Sequence, residues 1–187
     1  MNFEIDFSHF QLKQEFFDTE SPVHGINHTY RVMCLVLYVG HAAGLKRDVL
    51  LALCAAFMHD FARKHDGYCN QHGDWAAQFK LEDLVPLFTK AGVNKSEIEI
   101  IKTAVKNHSQ LEELKTDHIA YKTTALLKDA DALDRIRLNM NNLDERFLRF
   151  PESVRFITFA RQLYFNTRNI KISSFVEILK IAELINH

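Results

Sequence analysis

VLLALCAAFMHD, residues 49–60, is the stretch whose reading decides the fold. Its first ten residues, 49–58, are unbroken apolar sequence with no glycine or proline, which predicts a helix buried on all sides. His59 and Asp60 close that run and put a base and a carboxylate where hydrocarbon belongs. Buried charge needs a partner. His28 upstream and Asp131 downstream complete a set of two imidazoles and two carboxylates. Such a set suits a divalent ion of intermediate hardness, Mn, Fe, Co, Ni or Zn, whereas a closed structural zinc site would call for thiolates. Four protein ligands on an octahedral ion leave two positions, one for water and one for a substrate oxygen. That arrangement activates water near neutral pH and points to hydrolysis.

Working outward, the chain reads as all-α. It has six glycines, three prolines and no sustained period-2 run of β-branched residues. Turn signals cut it into about eight helices. The expected spans are an amphipathic stretch at 7–18, a helix at 27–43 stopped by Gly44, and the apolar helix at 47–61. Then come a loop over RKHDGYCN, a helix at 71–84 with Pro86 marking a break, and a helix opened by a Ser96/Glu99 capping box and reaching His108. A helix at 119–139 follows. Pro151 opens another as its first residue, and Ser174 with Glu177 offers a capping box within the last.

The 187 residues are read as one domain, large enough to bury a polar site inside a core. A formal net charge of −1 and a pI near 6.8 supply no global field for nucleic acid or an anionic membrane. The longest apolar run falls well short of the roughly 20 residues that span a bilayer. The start MNFEIDFSHF lacks the basic end and apolar core of an export signal. Three well-separated cysteines fit a reducing compartment, so the expectation is a soluble, cytoplasmic protein. Phe147, Phe150, Phe156, Phe159, Tyr164, Phe165 and Phe175 crowd the last segment, where they cover the core, wall a pocket or form a homo-oligomer surface.

Leu127, Asp131, Asp134 and Leu138 fall on one helical face, so two carboxylates interrupt a core stripe. Asp131 is expected as a ligand, and Asp134 as a group that holds a ligand or pins the helix; Asp129 is expected to be exposed or to support a ligand. The loop after the doublet carries Arg63, Lys64 and Asp66. Arg63 and Lys64 are expected to bind substrate phosphate, Arg63 foremost because its planar fork takes two oxygens at once. Asp66 is expected to orient Arg63 or His72, or to position water. His24 and His28 have the spacing of a zinc-protease helix, but Gly25 stands where the catalytic Glu would be.

HGINHTYRV (24–32), AFMHDFAR (56–63) and LLKDADALDR (126–135) resemble the signature segments of the HD superfamily of metal-dependent phosphohydrolases, in family order. QHGDWAA (71–77) and AVKNHS (104–109) match two further positions, so the likeness covers residues 20–138, with the helices of 141–187 completing the core or pocket. It implies an H…HD…H…H…D pattern in which His28, His59, Asp60 and Asp131 hold a metal. His72 and His108 hold a second ion, donate protons or contact phosphate. Asp60, Asp66, His72 and His108 are the expected catalytic groups. The implied substrate is a nucleotide or other small phosphate ester or anhydride, and no polymeric nucleic acid or membrane partner is expected. Two rivals stand beside this reading: a di-iron oxygenase on the same ligand set, and a non-catalytic module that senses a nucleotide.

Overall fold

The computed structural model describes residues 5–139 and 141–185, and among them it forms nine α-helices and no strand. The helices are α1 (Ile26–Ala42), α2 (Lys46–Met58), α3 (His72–Phe79), α4 (Leu81–Lys90), α5 (Lys95–His108), α6 (Tyr121–Leu133), α7 (Pro151–Arg155), α8 (Ile157–Thr167) and α9 (Phe175–Ile185). α1 runs through the middle, buried from His28 to Gly40, and packs against α2, α6, α8 and α9. α2 packs on α5 and α6 as well, and its residues 49–58 are all buried, as the apolar run requires. Cys34 and Cys54 are fully buried within this core, where they act as small apolar side chains.

Gly44 stops α1 by adopting a positive φ of 69°. This lets Leu45 N–H reach Gly40 O (2.8 Å) and Gly44 N–H reach His41 O (3.1 Å), the paired bonds of a glycine-terminated helix. The chain then reverses into α2.

Several boundaries differ from the sequence expectation. Residues 7–18 form no α-helix but two 3₁₀ turns, Phe7–His9 and Gln14–Phe16, whose aromatic rings pack on Phe57, Phe61 and Phe175. The helix expected at 71–84 breaks at Lys80, and Pro86 lies inside α4. Burial of Leu81, Leu84 and Phe88 on one face outweighs the missing N–H of that proline. The capping box of α5 is Asn94/Glu97: Asn94 Oδ1 accepts Glu97 N–H at 3.1 Å and Glu97 Oε2 accepts Asn94 N–H at 2.9 Å. Ser96 only donates its hydroxyl to Asn94. At the last helix Ser174 caps Glu177 N–H, and Glu177 accepts in return from Ser173 N–H, so the box opens the helix from just outside it.

Asp129 is fully buried, neither exposed nor beside the histidines. Its carboxylate accepts the backbone N–H groups of Arg149 and Phe150 and the Ser153 hydroxyl, fastening α7 to α6. Phe159 and Phe175 join the core, whereas Phe147 is 68% and Phe165 41% exposed.

This topology gathers the polar groups at one end of the bundle. α1 and α3 start there, carrying His28 and His72. α2, α5 and α6 end there, carrying His59, His108 and Asp131.

Candidate metal centre

α2 stops at Met58, so His59 and Asp60 occupy the turn beyond it instead of continuing the helix to 61. The cause is local. His59 Nδ1 donates to Ala56 O at 2.7 Å, taking a carbonyl that the next helical N–H would otherwise claim. The same i to i−3 contact recurs at His72 (Nδ1 to Cys69 O, 2.7 Å) and at His108 (Nδ1 to Val105 O, 2.6 Å). A carbonyl can only accept, so each of these rings carries a proton on Nδ1 and, when uncharged, presents a lone pair at Nε2. His28 follows suit with a carboxylate: its Nδ1 lies 2.7 Å from Asp134 Oδ2.

The four Nε2 atoms converge around Asp60. His28 Nε2 is 3.4 Å and His59 Nε2 3.5 Å from Asp60 Oδ2, while His72 Nε2 is 3.1 Å from Oδ1. His28 and His59 face each other Nε2 to Nε2 at 3.2 Å, and His72 and His108 do so at 2.9 Å. Asp131 Oδ1 joins the first pair, 3.3 Å from His28 Nε2. All four histidines and Asp60 are buried; Asp131 keeps 26% exposure.

Lone pairs facing lone pairs and an acceptor-only carboxylate repel each other unless a metal ion or a proton lies between them. Two groups of described residues could hold an ion, His28 with His59 and Asp60, and Asp60 with His72 and His108. Asp60 belongs to both, one oxygen toward each. The donor set of imidazole nitrogens and carboxylate oxygens fits a divalent transition metal. Cys69, spaced three residues before His72, is in neither group.

A model of the family described as HD domain matches residues 25–136. The chain belongs to the HD family. That family consists mostly of metal-dependent phosphohydrolases. No curated protein and no solved structure matches the chain.

Proton affinities carry the same signature as the HD pattern. At His28 burial and Arg137 oppose protonation, but Asp131, Asp134 and Asp60 prevail and raise the ring to about 9. Burial, reinforced by the neighbouring His72 and His59, pushes His108 down to about 3, and burial also lowers His59. Burial alone would raise Asp60, yet the charge of His59 and hydrogen bonds from His28 and His72 hold it well below the carboxylate range.

Asp134 is completely buried beneath the cluster. Besides His28 it receives Arg31 through two bonds, Nε to Oδ1 at 2.6 Å and Nη2 to Oδ2 at 3.0 Å. It orients His28 and fastens the end of α6 to α1. Arg31 is consumed in this pair and stacks over Tyr164, its guanidinium 5.2 Å from the ring centre.

The loop residues divide. Arg63 stays at the site, its Nε 3.4 Å from Asp60 Oδ1, while its Nη1 donates to the carbonyls of His65 and Gly67 and braces the loop. Lys64 turns away and pairs with Asp18 at 2.5 Å, beside Lys80. Asp18 is anchored by its own N–H to Phe61 O, so it collects both lysines. Asp66, expected to orient Arg63 or His72, makes no hydrogen bond to either among the described residues; it accepts from His24 Nδ1 at 2.9 Å and from the Ser21 hydroxyl. Two residues join the site that were not among the expected ligands or catalytic groups. His24 lines the cleft that reaches Asp60 and Arg63. Arg137 lies buried against Asp131 (Nη2, 3.4 Å) and Val23 O (Nε, 3.0 Å). The only signal for Arg137 was its place three residues after Asp134.

Gly73 sets the distance between His72 and His108. A Cβ there would collide with Val105 O on α5 and meet His108 Nδ1 at 3.0 Å. Gly73→Ala is therefore expected to push α3 off α5, costing about 1–3 kcal/mol. It should halve metal content at saturation while leaving the His28 side loaded, as metal analysis by mass spectrometry would read. Full loading with unchanged melting would refute that spacing role.

Proposed function

We propose that the protein is a metal-dependent phosphohydrolase acting on a nucleotide or other small phosphate ester or anhydride. The observation that supports this best is the position of Asp60, whose two oxygens face two sets of imidazole lone pairs. His28, His59, Asp60 and Asp131 would hold one ion, and Asp60, His72 and His108 a second. When bound, such ions supply Lewis acidity toward water and toward phosphoryl oxygens.

The remaining roles belong to the chain itself. Asp134 fixes the His28 ring, and the carbonyls of Ala56, Cys69 and Val105 fix the other three. Arg63 offers positive charge beside Asp60, where charge builds on a phosphoryl group during transfer. Lys64, held by Asp18, has no part in this reading.

Metal-reconstituted protein should release phosphate, pyrophosphate or a nucleoside from at least one member of a panel of mononucleotides, triphosphates and phosphate esters. Arg63→Ala should lower that turnover by roughly 10²-fold, the scale of one lost transition-state donor, with metal content unchanged. Silence across the panel with tight nucleotide binding would favour a sensing module. Two irons with oxygen consumption would favour an oxygenase, which the shared Asp60 also accommodates.

A further inference from the structure

The narrow cleft leading to Asp60 is walled on one side by the turn 19–24 and on the other by the loop after the HD doublet. Across it runs a hydrogen-bonded dyad, His24 to Asp66. The imidazole is buried to 5% exposure and is placed by several independent devices. Ser21 Oγ accepts the backbone N–H groups of Val23 and His24, at 3.0 and 2.8 Å, and closes the turn. At Gly25 a Cβ would collide with Ser21 O, so the turn can close this tightly only with glycine there. Ser21 then donates its hydroxyl to the same Asp66 oxygen that meets His24.

The chemistry of the pair fixes a tautomer. Hydrogen bonds from His24 and Ser21 lower Asp66 from its ordinary value, so it is ionised and can only accept. His24 Nδ1 must carry the hydrogen it shares with Asp66. The ring is 5% exposed, and such burial favours its uncharged form. Nε2 is then a lone pair. Among the described residues it meets no hydrogen-bond partner, and the ring lines the cleft together with Asp60 and Arg63. A carboxylate that locks an imidazole as an acceptor toward the reacting centre is the arrangement by which a base is oriented elsewhere in enzymes.

We propose that His24, held in this tautomer by Asp66, accepts a hydrogen bond from the water that attacks the substrate and aims its oxygen at phosphorus. His24 is thus a catalytic residue and Asp66 the residue that positions it. No bond forms to the ring. The new bond is water oxygen to phosphorus and the broken one is phosphorus to the leaving oxygen; the proton that the attacking water gives up passes to solvent, and the leaving oxygen takes one from solvent. The inference rests on the hydrolase reading, and it differs from a purely structural clasp in needing an acceptor at Nε2.

Asp66→Asn separates the two. Asp66 is 44% exposed, so the near-isosteric change leaves the fold intact, while an amide N–H can now donate to Nδ1 and drive the hydrogen to Nε2. Nitrogen-15 NMR of the imidazoles should show His24 protonated at Nδ1 in the wild type and at Nε2 in Asp66→Asn. With the best panel substrate, Asp66→Asn and His24→Asn should each lose at least about tenfold in kcat. KM should stay within a few-fold and metal content should not change. Asp66→Ala should retain more activity than Asp66→Asn, because it frees the tautomer without reversing it. An Nε2–H tautomer in the wild type, or a switched tautomer with undiminished kcat, overturns the proposal alone. Absence of any hydrolysis by the wild type overturns the hydrolase reading and this role together, and is told apart from the first case by the wild-type assay itself.

Discussion

Asp60→Ala is expected to leave the protein without stoichiometric transition metal and to lower phosphate release by more than roughly 10³-fold, the scale on which loss of a whole catalytic group falls. Both metal-capable groups contain Asp60, so the substitution removes an oxygen from each at once. Losing it should not unfold the chain. In the metal-free protein this carboxylate takes hydrogen bonds from His28 and His72, and the proton held by His28 supplies its counter-charge. His28 keeps Asp131 and Asp134 as acceptors or sheds its second proton, so losing Asp60 strands no charge and the cost in stability stays small. Metal-free Asp60→Ala should therefore melt within a few degrees of metal-free wild type, while the large metal-induced rise in Tm disappears. Full metal content and turnover in this variant would sink the assignment of the centre.

Asp134→Ala should act in the opposite way, chiefly on the fold. Asp134 and Arg31 are both buried and joined by two hydrogen bonds, and His28 completes the set. Deleting one member strands a buried guanidinium, which costs about 3–5 kcal/mol. For a chain of this length that is roughly 6–20 °C in Tm. His28 also loses the acceptor that fixes its ring, so metal affinity should fall by about 10–100-fold. The double variant Arg31→Met/Asp134→Leu tells the effects apart, since it removes both charges and should regain most of the stability but none of the affinity. Calorimetry of metal-free protein and metal titration would read the two quantities separately. A Tm for Asp134→Ala within two degrees of wild type would show that the pair is not the anchor its burial implies.

Much of the centre could be read before folding was considered. An apolar run that ends in His-Asp cannot be an ordinary core helix, because the physics of burial demands a counter-charge. Local periodicity likewise put Asp131 and Asp134 on one face, and Gly44 at a helix stop. These are short-range properties, fixed by residue type and by spacing within a few turns. The same locality explains the errors. The patterns at 7–18 and around Pro86 were amphipathic enough to mislead, and packing of Phe16 on Phe57 or of Phe88 in the core decided what the backbone did.

What only the tertiary structure decided is which group faces which. Asp134 and Asp131 lie three residues apart, yet one is sealed against Arg31 and His28 while the other keeps partial contact with solvent. Lys64 and Arg63 are neighbours, but Asp18, 46 residues before Lys64, draws that lysine away and leaves the arginine at Asp60. His24 joins the cleft because Asp66, 42 residues later, receives it. Residue type and helical spacing determined the fold class and the chemistry of the ligand set; partner choice depends on contacts between distant segments, where burial and charge competition settle each pair.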